Sequence, residues 1–70
     1  MSSGAWEESS SEDRLNAVTA DFEALAAAID RAIERLAPEE ASDQIVATLM
    51  NAKAAALRGA SLTREMLKSN

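Results

Sequence analysis

Two stretches of regularly spaced apolar residues, separated by a single proline, constrain this chain more than any other feature. Apolar residues recur in both stretches at intervals of three and four, the period of an amphipathic helix with one apolar seam. The spacing predicts a first helix from about residue 10 to 36 and a second from about 43 to 68. The predicted hairpin core consists of Leu15, Val18, Phe22, Leu25, Ile29 and Leu36 in the first helix and Ile45, Leu49, Ala52, Ala56, Gly59 and Met66 in the second.

The connection between the two helices is predicted to be short, over about residues 37–42. Pro38 cannot continue a helix and disfavours the helical conformation for Ala37. The second helix begins either at Pro38 itself or at Ser42 acting as its N-cap. Two long helices joined by a short turn fold back on each other. The predicted fold class is therefore all-α, an antiparallel two-helix hairpin completed as a bundle by self-association or by a partner.

Small residues in the second helix indicate close packing between the two arms. The segment AKAAALRGAS contains five alanines and one glycine. A turn near residue 40 places it opposite the alanines of residues 26–28, and it places Phe22 opposite Gly59, where the missing side chain leaves room for the ring. A competing interpretation is that alanine is simply the best helix former. In another, Gly59 ends the second helix and Ser61 caps a short third helix.

The first nine residues are rich in Ser, Gly and Glu and are predicted to form a flexible leader. Ser9 and Glu12 have the spacing of a capping box at the start of the first helix. Trp6, the only tryptophan, lies in the leader. Three interpretations of it stay open: folding over the end of the bundle, inserting into a partner as an anchor, or having no role.

The residue types needed for most catalytic sites are missing from this sequence. It contains no Cys, His or Tyr, and its two glycines are isolated, which removes most nucleophilic, metal-binding and phosphate-binding arrangements. Adjacent carboxylates point apart on a helix instead of converging. We therefore predict that the protein is not an enzyme, with no catalytic residues, metal, cofactor or small-molecule substrate.

The two halves of the chain carry opposite net charge, and the total charge restricts the kinds of partner that the protein can bind. Residues 1–43 carry a net charge of −8 and residues 44–70 a net charge of +3, so that the two arms attract each other. The total of −5 argues against a nucleic-acid or anionic-membrane surface. No apolar run is long enough to span a bilayer, and the N-terminus lacks the apolar region of a Sec signal peptide. We expect a cytoplasmic location without membrane insertion, with export by a route other than Sec left open.

Surplus apolar residues point to a protein-binding function. A core in 70 residues rarely supplies more than about 3–5 kcal/mol, and without disulfides or zinc the remaining source of stability is another polypeptide. We predict a protein–protein interaction module, a small helical subunit, adaptor or docking protein that binds a partner or forms a homodimer. An acidic inhibitor that mimics nucleic acid is a lesser alternative. The predicted partner or dimer surface consists of Ile33, Val46, Met50, Leu57, Leu62, Leu67 and Trp6.

Three features together resemble the small helical hairpins of bacterial type III secretion, the needle subunits and their short co-chaperones. They are a first helix ending AIDRAIERLA, one proline-containing turn, and a second helix containing MNAKAAALRGASLTREMLK. The resemblance covers roughly Leu15 to Lys68, and the Ser-rich leader with Trp6 also fits the needle plan. It implies a bacterial protein that works in assembly or chaperoning. The polar ending Lys68-Ser69-Asn70 departs from the apolar C-terminus of needle subunits.

Overall fold

The computed structural model describes residues 10–69, which form two α-helices and no strand. The first, α1, spans Ser11–Arg35, and the second, α2, spans Asp43–Ser69. The two helices pack against each other as an antiparallel hairpin, which confirms the predicted all-α fold class. Because α2 runs without a break through Gly59, the alternative with a short third helix is wrong. The leader, including Trp6, lies outside the described residues.

A serine caps the beginning of α1. Ser10 has an extended backbone, and its hydroxyl accepts a hydrogen bond of 3.0 Å from the N–H of Asp13. Asp13 and Glu12 also place negative charge in the first turn, where the helix dipole favours it. The capping serine is thus Ser10, one residue later than the predicted capping box, whose Ser9 lies outside the described residues.

The second helix begins at Asp43 with Ser42 as its N-cap, so the predicted alternative of a start at Pro38 is wrong. Pro38 opens one isolated turn, in which the carboxylate of Glu40 accepts a 3.0 Å hydrogen bond from the N–H of Ala37. The chain then straightens briefly, and the hydroxyl of Ser42 accepts a 3.2 Å bond from the N–H of Ile45, so that Ser42 caps α2. Proline therefore ends one helix without beginning the next.

The hairpin is a single layer of two helices. The smallest dimension of the chain is 14 Å, close to the diameter of one helix. Each helix can therefore cover only one side of its neighbour.

The interface between α1 and α2 follows a strict heptad pattern, but it is rotated from the predicted one. Five of the described residues are buried, and all lie in this interface: Thr19, Ala26, Ile29, Ala56 and Ala60. The remaining interface positions are half-buried, namely Leu15, Phe22 and Ile33 on α1, Leu36 immediately after it, and Val46, Leu49, Lys53, Thr63 and Leu67 on α2.

The prediction that Val18, Leu25, Ile45, Ala52 and Met66 belong to the hairpin core is wrong. All five are exposed, and each immediately precedes a residue that occupies the interface in its place. Either choice preserves the heptad spacing, so the spacing alone does not fix the rotation of the helix. The observed rotation buries the small side chains of Ala26, Ala56 and Ala60 between the helices, where small residues permit close approach of the backbones.

Those small side chains form the tightest part of the interface. Ala26, Ala56 and Ala60 are 4%, 2% and 0% exposed. Phe22 fills the space beside Gly59, as predicted: a Cβ placed on Gly59 would lie 2.5 Å from Cζ of the Phe22 ring and 2.6 Å from Cε1. Ordinary carbon–carbon contacts are about 3.5–4.0 Å. The ring therefore occupies the position that any side chain at residue 59 would need.

Candidate protein-interaction surface

At several heptad positions, two adjacent residues differ in burial: one lies in the interface between the helices and the other is exposed. In Val18–Thr19 and Leu25–Ala26 the second residue is buried against α2, while the first is exposed. In α2, Ile45 and Met66 are likewise exposed while the residue that follows each is half-buried. In the observed orientation of the two helices, large apolar side chains that were predicted to lie in the core are thus on the outer surface.

Five large apolar residues that are exposed lie on one side of the hairpin, and we call this side the apolar face. A residue just before an interface position is rotated by about 100° in the same sense on both helices. Because the helices are antiparallel, that rotation leads to the same side of the pair. The apolar face consists of Val18, Leu25, Ile45, Leu62 and Met66, which are between 42% and 55% exposed.

The opposite side of the hairpin carries the ion pairs between the two arms, and we call it the ion-pair face. Lys53 Nζ lies 2.8 Å from Asp30 Oδ1, and Arg64 pairs with Glu23. Asp30 and Glu23 each follow an interface position of α1, and Arg64 follows one of α2. These contacts place the following residues of both helices on one side, and so the preceding residues on the other.

The ion-pair face has a smaller apolar component. Met50 and Leu57 follow interface positions of α2 and are 49% and 47% exposed. Lys53 and Arg64 lie on the same flank of α2 by helical spacing. The side chains of both ion pairs are between 30% and 52% exposed, so each pair contributes at most about 1 kcal/mol. Apolar residues on this face therefore alternate with charge.

A pair of threonines joins the helices near the open end of the hairpin. The hydroxyls of Thr19 and Thr63 contact each other across the interface. Thr19 Oγ1 also lies 2.8 Å from the carbonyl oxygen of Leu15, and Thr63 Oγ1 lies 3.0 Å from that of Ala60. Since each hydroxyl has one proton, one threonine donates to its own helix and the other donates across the interface.

The sequence analysis missed the role of Thr19 because it assigned the seam position to the apolar Val18. One signal was available in the sequence. Thr19 and Thr63 lie at equal distances along the chain from residue 41, in the turn. A hairpin with that turn must bring the two residues to the same level.

The structure divides the predicted partner surface. Met50, Leu57 and Leu62 are exposed, and Met66 and Ser69 line an open groove with Leu62 and Glu65 on the outside of α2. Ile33, Val46 and Leu67, in contrast, are half-buried at the interface positions and are largely unavailable to a partner. Trp6, the remaining predicted residue, lies outside the described residues.

Other kinds of site find little support within residues 10–69. No group of three or more acidic side chains there is arranged to hold a metal ion. Neither described helix has an apolar stretch long enough to cross a membrane.

Comparison with known proteins adds no further information. No protein-family model, curated protein or solved structure matches this chain. The resemblance to type III secretion hairpins stays a prediction. The function must accordingly be argued from the chemistry of the two faces.

Proposed function

We propose that this protein is a protein–protein interaction module, a small helical subunit or adaptor whose hairpin binds other helices through its apolar face. The observation that carries the proposal is the set of five large apolar side chains, each about half exposed, on one side of a single-layer fold. Large exposed apolar side chains gathered on one side of a small protein are typical of a contact surface.

The apolar area that association would cover supports the same proposal. Covering the remaining half of each of the five side chains contributes about 1 kcal/mol apiece, or about 5 kcal/mol in all. That gross gain equals the stability a core of this size normally supplies, about 3–5 kcal/mol. Binding and folding are therefore expected to be coupled.

Dilution of the purified chain tests this proposal. At concentrations where sedimentation reports a monomer, we expect a broad thermal transition and fluorescence enhancement of a dye that binds apolar surfaces. An excess of binding partner should sharpen the transition and displace the dye. A dilute monomer that melts cooperatively and leaves the dye unaffected would contradict the proposal, because its apolar side chains would then be covered by its own residues.

A second candidate is a structural subunit of an open assembly, as the resemblance to secretion needles implies. It is favoured by the presence of apolar side chains on both sides of the layer, with Met50 and Leu57 on the ion-pair face. Unlike surfaces that bind head to tail build filaments instead of closed oligomers. Electron microscopy of the chain at increasing concentration tests this candidate: filaments support it, and only closed oligomers of fixed size count against it.

A further inference from the structure

We infer that the apolar face is covered by a second copy of this chain, so that two hairpins stack face to face as a four-helix bundle. This inference rests on the proposed function and identifies the first binding partner. It concerns the apolar face alone and leaves the ion-pair face exposed in the dimer.

The pairs of adjacent residues provide the first argument. A helix in an isolated hairpin needs one seam, whereas a helix in a four-helix bundle contacts two neighbours and needs three apolar positions in each heptad. Both helices here have that wider pattern, and the hairpin uses only part of it. The second residue of each pair is used within the hairpin, and the first is left for another neighbour. The pairs whose first residue is exposed are Val18–Thr19, Leu25–Ala26, Ile45–Val46 and Met66–Leu67.

Charge provides the second argument. None of the five residues of the apolar face is ionisable. Arg14, Asp21 and Arg35 also precede interface positions, namely Leu15, Phe22 and Leu36, and so lie on the same side of the hairpin, with charges of both signs. A second copy presents the same apolar side chains and the same charges of both signs, so that carboxylate and guanidinium groups beside the apolar face can lie opposite each other.

The available area provides the third argument. The α2 helix has 27 residues, which makes the hairpin about 40 Å long at 1.5 Å per residue. Two helices about 10 Å apart present a face about 20 Å wide. The face therefore measures about 800 Å² per copy, which is the area that each partner contributes to a stable interface of standard size.

Sedimentation equilibrium of the full chain across the micromolar range tests the inference, with three variants for comparison. Leu25→Glu places a charge in the apolar face and, by two-fold symmetry, enters the interface twice. Leu57→Glu makes the same change at a similarly exposed leucine on the ion-pair face. Ala24→Glu adds the same charge at an exposed position next to Leu25, on the side of α1 away from the interface.

We expect the wild-type chain, Leu57→Glu and Ala24→Glu to reach twice the 7.4 kDa chain mass. Leu25→Glu should weaken the dimer at least about 100-fold. Leu62→Glu, on the other helix of the same face, should have the same effect, which guards against a local folding defect at residue 25. Since each copy carries a net charge of −5, added salt should strengthen the wild-type dimer by screening repulsion.

Other results would overturn the inference, and they differ in what they mean for the proposed function. A monomer that binds the apolar dye, or a dimer that Leu57→Glu disrupts and Leu25→Glu does not, contradicts the choice of partner or face while the proposed function stands. Open-ended assembly instead of a dimer also contradicts it and favours the structural subunit. A cooperatively melting monomer without dye binding contradicts both the inference and the proposed function.

Discussion

Replacing Gly59 by alanine should destabilise this hairpin, although the same change in an ordinary helix is stabilising. Alanine is favoured over glycine inside a helix by about 1 kcal/mol. Here the new Cβ would lie 2.5, 2.6 and 2.8 Å from three atoms of the Phe22 ring. Restoring a contact of about 3.5 Å requires the ring to retreat by about 1 Å.

The magnitude follows from two opposing effects. Overpacking of a well-packed interface costs about 1–3 kcal/mol, which the gain in helix propensity reduces by about 1 kcal/mol. We therefore expect Gly59→Ala to lower the free energy of unfolding by up to about 2 kcal/mol. In a Phe22→Leu background the distal ring atoms are absent, so that Gly59→Ala should instead raise the free energy of unfolding by about 1 kcal/mol.

Urea unfolding followed by circular dichroism at 222 nm measures all four chains of this double-mutant cycle. Chain concentration must be held constant, because association changes the apparent stability. Ala54→Gly, at an exposed position of α2, calibrates the propensity difference and should cost about 1 kcal/mol in both backgrounds. Equal stabilisation by Gly59→Ala in both backgrounds would refute the proposed contact between the ring and Gly59.

Three further predictions follow from the caps, the ion pairs and the threonine pair. Ser42→Ala should lower the free energy of unfolding in urea by about 1 kcal/mol and Ser42→Gly by only a few tenths, since glycine is itself a tolerated cap; equal losses would contradict the capping role. Asp30→Asn should cost less than about 1 kcal/mol in low salt and nothing measurable in high salt, because its pair with Lys53 is partly exposed; a loss that persists in high salt would contradict this. Thr19→Ala and Thr63→Ala should each destabilise, with a coupling of about 1 kcal/mol in the double mutant, and strictly additive losses would mean that the two hydroxyls do not interact.

The fold could be predicted from the sequence because its determinants are local. Apolar residues at intervals of three and four specify two helices, and one proline separates them. The observed α1 and α2 begin and end within about one residue of the predicted bounds. The contact between the Phe22 ring and Gly59 could also be predicted. In an antiparallel hairpin, a turn near residue 40 determines which residues of the two helices lie opposite each other.

The rotation of each helix could not be predicted in the same way. Leu25 and Ala26 both fit the heptad spacing, and apolar character favours leucine at the interface. The structure uses alanine there, because Ala26, Ala56 and Ala60 let the backbones approach closely. That advantage depends on both helices together and is not visible in either one alone. A shift of one residue in the predicted heptad positions therefore assigned exposed residues to the core and interface residues to the candidate binding surface.

The candidate surface is the part that sequence reasoning anticipated least accurately. Met50, Leu57 and Leu62 of the predicted surface are exposed, whereas Ile33, Val46 and Leu67 are half-buried at interface positions. Val18, Leu25 and Met66, which were predicted to lie in the core, are exposed as well. The spacing of apolar residues identifies which positions are apolar. Which of them face the other helix and which face outward depends on how the helices pack.

The central claim, that this hairpin is completed by association, is tested most directly by the thermal unfolding midpoint as a function of chain concentration. If two copies cover each other's apolar faces, the midpoint of the wild-type chain should rise steadily with concentration. The midpoint of Leu25→Glu should be lower and nearly constant over the same range. A sharp wild-type transition whose midpoint does not change with concentration, in a chain that sediments as a monomer, would contradict the account.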